Sequence, residues 1–235
     1  MIPGHLLGPW LDLAGSDRRD GIGDMPIRDA AEERRAPPVP DPPMTAPLVV
    51  PNVLSDAACE ALVAAASNAT ESVRSHQLLD ALGAPIPNSR RSDEVRVAAE
   101  VLRPLREALA PLTDTCRTHF ATPDLEVLRP ARLLRYRRGD AISQHRDAGL
   151  DVVAGRSGQR IVSFSLLLSD PRDFTGGDLI GYGLHRIPGF ERLGKVLALE
   201  QGDAVFFLSQ MQHEVTEVTE GTRLVAIGHL GSWLD

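Results

Sequence analysis

The residues of this 235-residue chain that could do chemistry gather in two stretches. The first, YRRGDAISQHRD, runs from Tyr136 to Asp147 and ends on His145-Arg146-Asp147. In an extended strand residues i and i+2 share a face. A short strand there would offer an imidazole and a carboxylate side by side. The second stretch, QMQHEVTEVTEGTRLVAIG, supplies His213 and then Arg223. Two histidines and a carboxylate with positions left open suit a non-haem Fe(II) centre. His145 and Asp147 alone are a weak signal in a chain with seven histidines, because two polar residues at a strand end look the same. The context strengthens it. A Gly139-Asp140 turn precedes the triplet, and His213 opens a later strand just after another turn. Taken singly, His213 would read as a solvated histidine at a strand end.

If TRLVAIG is a strand, Arg223 faces the same way as Val225 and Ile227, towards a core. An inward cation costs much free energy unless it is paired. No carboxylate of the chain is obviously placed to pair with it, and a guanidinium takes a carboxylate in a two-point contact. A ligand carboxylate is therefore an attractive partner, against the plainer reading of a surface arginine. Tyr136 shares a face with Leu134. It reads either as a core tyrosine with a satisfied hydroxyl or as a second hydrogen bond to the same ligand.

The elements needed to bring these residues together can be read around them. Ser55 is a candidate N-cap for a helix reaching about Asn68. SHQLLDALGAPIPNSRRSDE reads as a long loop. A second helix is expected from about Ser92 to Phe120, kinked or split at Pro104 and Pro111. Beyond Pro123 the pattern turns to strands. RIVSFSLLLSD is apolar on both faces, as in a central strand, and Gly176-Gly177 marks a turn. KVLALEQGDAVFFL reads as strand, turn at Gln201-Gly202-Asp203, strand; two final strands meet around Glu220-Gly221. The class is mainly β with flanking helices: a double-stranded β-helix (jelly roll) core backed by N-terminal helices.

Residues 1–47 differ from the rest. They mix charges densely, and six prolines fall between Ala36 and Pro47. Such a segment buries too little apolar surface to offset its ordering entropy. A flexible tail over 1–47, with a short helix near Arg28–Arg35, is expected ahead of a catalytic-type domain over 48–235. The net charge of −7 and pI of about 5.5 disfavour a nucleic-acid-binding surface. Two cysteines make no disulfide framework, and no apolar run reaches membrane-spanning length. The expectation is a cytoplasmic protein with no nucleic acid or membrane partner.

Taken in order, RLLRYRRGDAISQHRDA, FTGGDLIGYG and EQGDAVFFLSQMQHEVTEVTEGTRLVAIG resemble the Fe(II)- and 2-oxoglutarate-dependent dioxygenases, within them the prolyl 4-hydroxylase-like group. NVLSDAACEALVAAA resembles that group's helical entry, so the likeness covers about residues 48–231. The resemblance implies that His145, Asp147 and His213 hold Fe(II), and that Arg223, assisted by Tyr136, holds the far carboxylate of 2-oxoglutarate. It implies hydroxylation of an unactivated C–H bond by O2, release of succinate and CO2, and ascorbate as a stimulant. Asp178-Leu179 stands where the family often has Glu-Thr, which departs from the enzymes acting on peptidyl proline. Asp147 is present, unlike in the related halogenases. His229 stands where DNA-repair members carry a second arginine.

Seven arginines lie near the expected site: Arg90, Arg91, Arg132, Arg135, Arg137, Arg138 and Arg146. Alternation turns Arg135 and Arg137 away from Tyr136, towards solvent. Arg146, between two ligands, must point to the rim. The loop with Arg90-Arg91 is expected over the same mouth, as in the proteins the chain resembles. Arg91 and Arg146 are thus expected to hold an anionic group of a small-molecule, amino-acid or peptide substrate; the alternative is a solvated arginine face. The rival overall is a non-catalytic metal- or ligand-binding jelly roll, which would need no inward Arg223. A zinc hydrolase built on the same three ligands would need a general base, and none is evident.

Overall fold

The computed structural model describes residues 45–79, 85–184 and 193–234. The tail expected over 1–47 falls outside the described residues up to residue 44, and so does its short helix. Ser55 caps helix α1 (Asp56–Asn68) as its sequence suggests: its Oγ accepts from the Ala58 amide at 3.4 Å. The expected second helix begins later than predicted and is divided. Helix α2 (Arg103–Leu109) has Pro104 in its first turn, and helix α3 (Leu112–His119) starts just after Pro111. Residues 92–95, expected to start that helix, instead finish a strand. The expected long loop is a hairpin of β2 (Ser72–Leu79) and β3 (Pro85–Val95), interrupted by a register shift between Ser75 and Gln77.

All strand pairs are antiparallel, and one strongly curled sheet carries them as a jelly roll. Its main face runs β1 (Leu48–Val50), β12 (Ala204–Leu208), β8 (Arg156–Leu167), β14 (Val218–Leu234), β5 (Arg132–Arg137). The β3 strand pairs with β5 at Asp93–Val95 and then with β6 (Ile142–His145) at Arg90. It thereby leads into a second face: β6, β13 (His213–Val215), β10 (Leu179–Gly181), β11 (Lys195–Val196). The β8 strand is central, as its two-sided apolar pattern requires. The two last strands expected around Glu220-Gly221 are one continuous strand that changes partner there. Val218–Gly221 pairs with β9 (Phe174–Gly176), and Thr222 onward pairs with β5. Likewise β11 and β12 do not form a hairpin, since β11 pairs with β10.

Alternation along the main face sorts the apolar residues into two cores. Leu133, Leu166, Phe206, Leu224 and Ala226 pack against α1, α2 and α3 through Leu62, Leu105 and Cys116. Leu134, Leu167, Val205, Phe207 and Val225 point the other way and meet Leu179, Met211 and Val215 of the second face. Tight turns hold the layers together. At Gly202, φ is +87° and an added Cβ would lie 2.2 Å from the Leu54 carbonyl oxygen, so only glycine fits where the entry to α1 docks. Both cysteines are buried and free, and burial raises their thiols to about 11 for Cys59 and about 12 for Cys116. Among the described residues no helix is long and apolar enough to cross a membrane.

Candidate metal centre

His145 ends β6 and His213 begins β13, and the two residues are direct partners across that ladder. Their rings lie 4.2 Å apart, centroid to centroid. Each ring is oriented through its other nitrogen. Nδ1 of His145 lies 2.8 Å from the Ser143 carbonyl, and Nδ1 of His213 lies 3.0 Å from the Met211 carbonyl. A carbonyl only accepts, so each Nδ1 carries the proton and each Nε2 presents a lone pair. Phe207 packs edge-on against His213, with centroids 4.8 Å apart. Asp147 follows on a loop whose Asp147 and Ala148 amides both donate to the Ser209 carbonyl, at 2.9 and 2.8 Å. Its Oδ1 is 3.5 Å from His145 Nε2, and its Oδ2 is 3.6 Å from His213 Nε2.

One donor atom from each of the three residues falls within 4.8 Å of the others. Two neutral imidazole lone pairs and a carboxylate at that separation fit a divalent iron, with the ring tautomers already set for it. Burial pushes the His213 imidazole below its ordinary value, against the pull of Asp147. Burial would raise Asp147, but its surroundings of three imidazoles, His145, His213 and His229, attract the carboxylate whenever one of them takes up a proton and hold it below the usual carboxylate range. Both directions keep His213 and Asp147 in the protonation states that bind metal.

The centre opens on a cavity of about 380 Å³. Arg223 and Tyr136, directly paired across β14 and β5, lie at one end of it. Arg223 is 4% exposed, and its guanidinium carbon sits 5.4 Å from the Tyr136 ring centre. Val225 and Ile227 face the same way, as the alternation requires. Among the described residues neither the Arg223 guanidinium nor the Tyr136 hydroxyl has a hydrogen-bond or ion-pair partner. Burial lowers the Arg223 pKa from its ordinary value, with Tyr136 and Asp178 pulling the other way. An arginine stays charged regardless, so this direction records a buried cation short of an anion. Burial raises the Tyr136 phenol against Arg223 and Arg90, which leaves it a donor. Gly177 makes room for this end: an added Cβ would come 2.9 Å from both Arg223 Cδ and Val218 Cγ2.

The arginines divide. Arg146 lines the cavity, as expected. Arg91 does not line it; its side chain reaches Glu217 at 3.4 Å, and its neighbour Arg90 takes the cavity side. Arg135 and Arg137 do point away from Tyr136, Arg137 exposed on the outer face and Arg135 largely covered. Each places a guanidinium nitrogen 3.1 Å from Asp93 Oδ2. Sequence reasoning placed Arg132 near the site but missed Arg160 and His229 as cavity residues. His229 was legible in principle, since it continues the run Arg223, Val225, Ile227 at every second residue. It is 3% exposed, its Nδ1 lies 3.2 Å from Ser163 Oγ, and burial lowers it to about 4.

Residues 131–231 match the family model described as the 2OG-Fe(II) oxygenase superfamily. A PKHD-type hydroxylase of Hyphomonas neptunium is 33% identical over 167 residues, 69% of this chain and 63% of the relative. A PKHD-type hydroxylase of a Picosynechococcus strain is 37% identical over 101 residues, 43% of this chain and 41% of the relative. The chain thus spans roughly half the length of these curated relatives. Among solved structures, a prolyl-4-hydroxylase of Pseudomonas putida superposes with a TM-score of 0.59 at 17% identity, covering 88% of this chain and 98% of that one. A prolyl hydroxylase of Trichoplax adhaerens, solved with a hypoxia inducible factor peptide fragment, gives 0.58 at 11%, covering 91% and 94%. At these identities the superpositions speak to the fold.

Proposed function

We propose, from the premise that the chain belongs to the 2OG-Fe(II) oxygenase superfamily and its prolyl 4-hydroxylase-like group, that it is a 2-oxoglutarate-dependent hydroxylase with His145, Asp147 and His213 as its iron ligands. The observation that carries this reading is one cavity holding both a three-donor cluster and a buried, unpaired Arg223. A module that only bound metal would have no use for the second feature. Bound Fe(II) with 2-oxoglutarate and O2 supplies oxidative decarboxylation, giving succinate and CO2, coupled to hydroxylation of a C–H bond.

The chain's own residues do the rest. His145 and His213 present Nε2 atoms held in place by the Ser143 and Met211 carbonyls, so little reorganisation precedes metal binding. Arg223 receives the far carboxylate of 2-oxoglutarate, and the protonated Tyr136 hydroxyl donates to it. Leu134, Leu179, Val215 and Val225 wall this end with apolar surface, which excludes water and strengthens the charge pairing. The substrate is a small molecule, an amino acid or a peptide residue entering from the opposite end.

Succinate release with and without added Fe(II) tests the reading. Turnover should require both iron and 2-oxoglutarate, and Asp147→Ala should remove it along with stoichiometric iron. Iron-independent turnover, or full activity in that variant, would refute the assignment.

A further inference from the structure

The cavity carries more positive charge than the proposed chemistry uses. Among the described residues five arginines line it, Arg90, Arg132, Arg146, Arg160 and Arg223, against one carboxylate, Asp147. Arg132 is neutralised by Glu94, 3.1 Å away. Arg160 pairs with Asp151 at 2.7 Å, a carboxylate that Arg129 also reaches at 3.5 Å, and its other arm donates to the Asp147 carbonyl. On the reading above, Asp147 belongs to the metal and Arg223 to the co-substrate. The dianionic co-substrate and the divalent metal offset each other. Two cations remain. Among the described residues the one hydrogen bond of the Arg90 side chain goes to the Ser92 hydroxyl, at 3.3 Å through Nε. Arg146 has no hydrogen-bond or ion-pair partner among the described residues. Both arrive from around the metal ligands: Arg90 pairs across from Ile142 at the start of β6, and Arg146 separates His145 from Asp147.

This surplus stands out because the whole chain carries a formal charge of −7. Positive charge collected at a partly enclosed mouth with apolar walls focuses field and concentrates anions. The cavity is also small. At about 380 Å³ it lies near the lower end of the roughly 300–1,000 Å³ usual for ligand sites, and the co-substrate must share it. We infer that Arg90 and Arg146 form a carboxylate-binding subsite, and that the substrate is a small organic acid whose carboxylate they hold while its other end lies at the metal. This replaces Arg91 with Arg90 as the partner of Arg146. It rests on the reading of Arg223 and Asp147 given above. His229, neutral at pH 7, and Ser165 line the same cavity and contribute hydrogen-bonding groups without charge.

The test uses propionate and its neutral isostere propionamide as probes. Proton–nitrogen spectra are recorded on the full chain, loaded with Zn(II) as a redox-silent ion and saturating 2-oxoglutarate, at fixed ionic strength. Propionate should shift the Nε–H signals of Arg90 and Arg146 saturably, and propionamide should not. In Arg90→Ala/Arg146→Ala the propionate Kd, read at the Ala148 and Ser165 amides, should rise at least tenfold. Arg90→Lys/Arg146→Lys should restore most of it. Equal response to propionamide, no saturable shift at these residues, or an unchanged Kd in the double alanine variant would overturn the inference. A failure of the parent reading appears elsewhere, as absent shifts at His145, His213 and Arg223 on adding zinc and 2-oxoglutarate. The propionate arm is still read at Arg90 and Arg146 in that case.

Discussion

The two faces of β14 differ as much as any two parts of the molecule. Leu224, Ala226 and Leu230 point to the helices and join a closely packed apolar core. Arg223, Val225, Ile227 and His229, alternating with them, face the cavity. One face is filled and has no ionisable side chain along this run. The other begins with a cation, ends with an imidazole and encloses space. A buried unpaired cation destabilises a fold, as does a histidine held neutral. The strand tolerates both because its opposite face supplies burial at about 25 cal/mol per Å² of apolar area. Stability and chemistry are therefore separable on one strand, residue by residue.

The largest effect should come from breaking the cavity side at the metal. His213→Ala should lower turnover by more than the roughly 10- to 100-fold typical of residues that only orient ligands, while the thermal midpoint of the metal-free protein stays near wild type. A midpoint collapse would mean that His213 is structural first. Breaking the helix side should do the reverse. Leu166, fully buried against the helices, should cost about 2–5 kcal/mol when changed to Ala. Urea unfolding reads that loss, and iron stoichiometry of the folded fraction should be unchanged.

Acid should act through the cavity face. His229 sits at about 4 in the fold against an ordinary 6.5, so the unfolded chain binds more protons between those values. Stability is then fully present above about pH 6.5 and lost as pH falls towards 4, by at most about 3 kcal/mol. His229→Gln should flatten that limb in metal-free protein; an identical acid limb would remove His229 as its source. The finest distinction comes from Arg223→Met. Losing one charge-assisted contact, about 1.5–3 kcal/mol, should raise the KM for 2-oxoglutarate roughly 10- to 100-fold. The thermal midpoint should hold or rise, because a buried charge is replaced by an apolar side chain. A lower midpoint with unchanged KM would invert the comparison.

Much of this arrangement could be read from alternation alone. Arg223 and Tyr136 were legible because a two-residue period fixes facing without knowledge of the fold, and His145 and Asp147 by their spacing, although Asp147 lies on a loop past the end of β6. The capping of α1 by Ser55 was legible because capping is local. The hairpin of β2 and β3 was not. Its Ser, Asn and Pro content reads as turn, and what makes it a strand is its pairing with β5 and β6, far along the chain. The same reading set the helix start at Ser92 and gave no way to tell that Arg90 and not Arg91 lines the cavity, since a loop gives no parity by which to choose between neighbours. Arg160 was hidden for another reason: its role depends on Asp147 and Asp151 converging on it from a separate loop and strand.

The attachment of β3 has a further meaning for how the protein could change. Arg223 lies in a strand bonded to β5 from Thr222 and to β8 from Val225, so an insertion there would break many ladder bonds. Arg90 hangs from β6 by a single register pair and the adjoining Arg91 amide bond to the Ala141 carbonyl. Rebuilding β3 around Arg90 would break few bonds to β6, and loop growth itself carries little entropic cost. The part that would choose the substrate can therefore be exchanged while the part that would activate oxygen stays fixed, which makes the hairpin the natural graft point for redirecting selectivity.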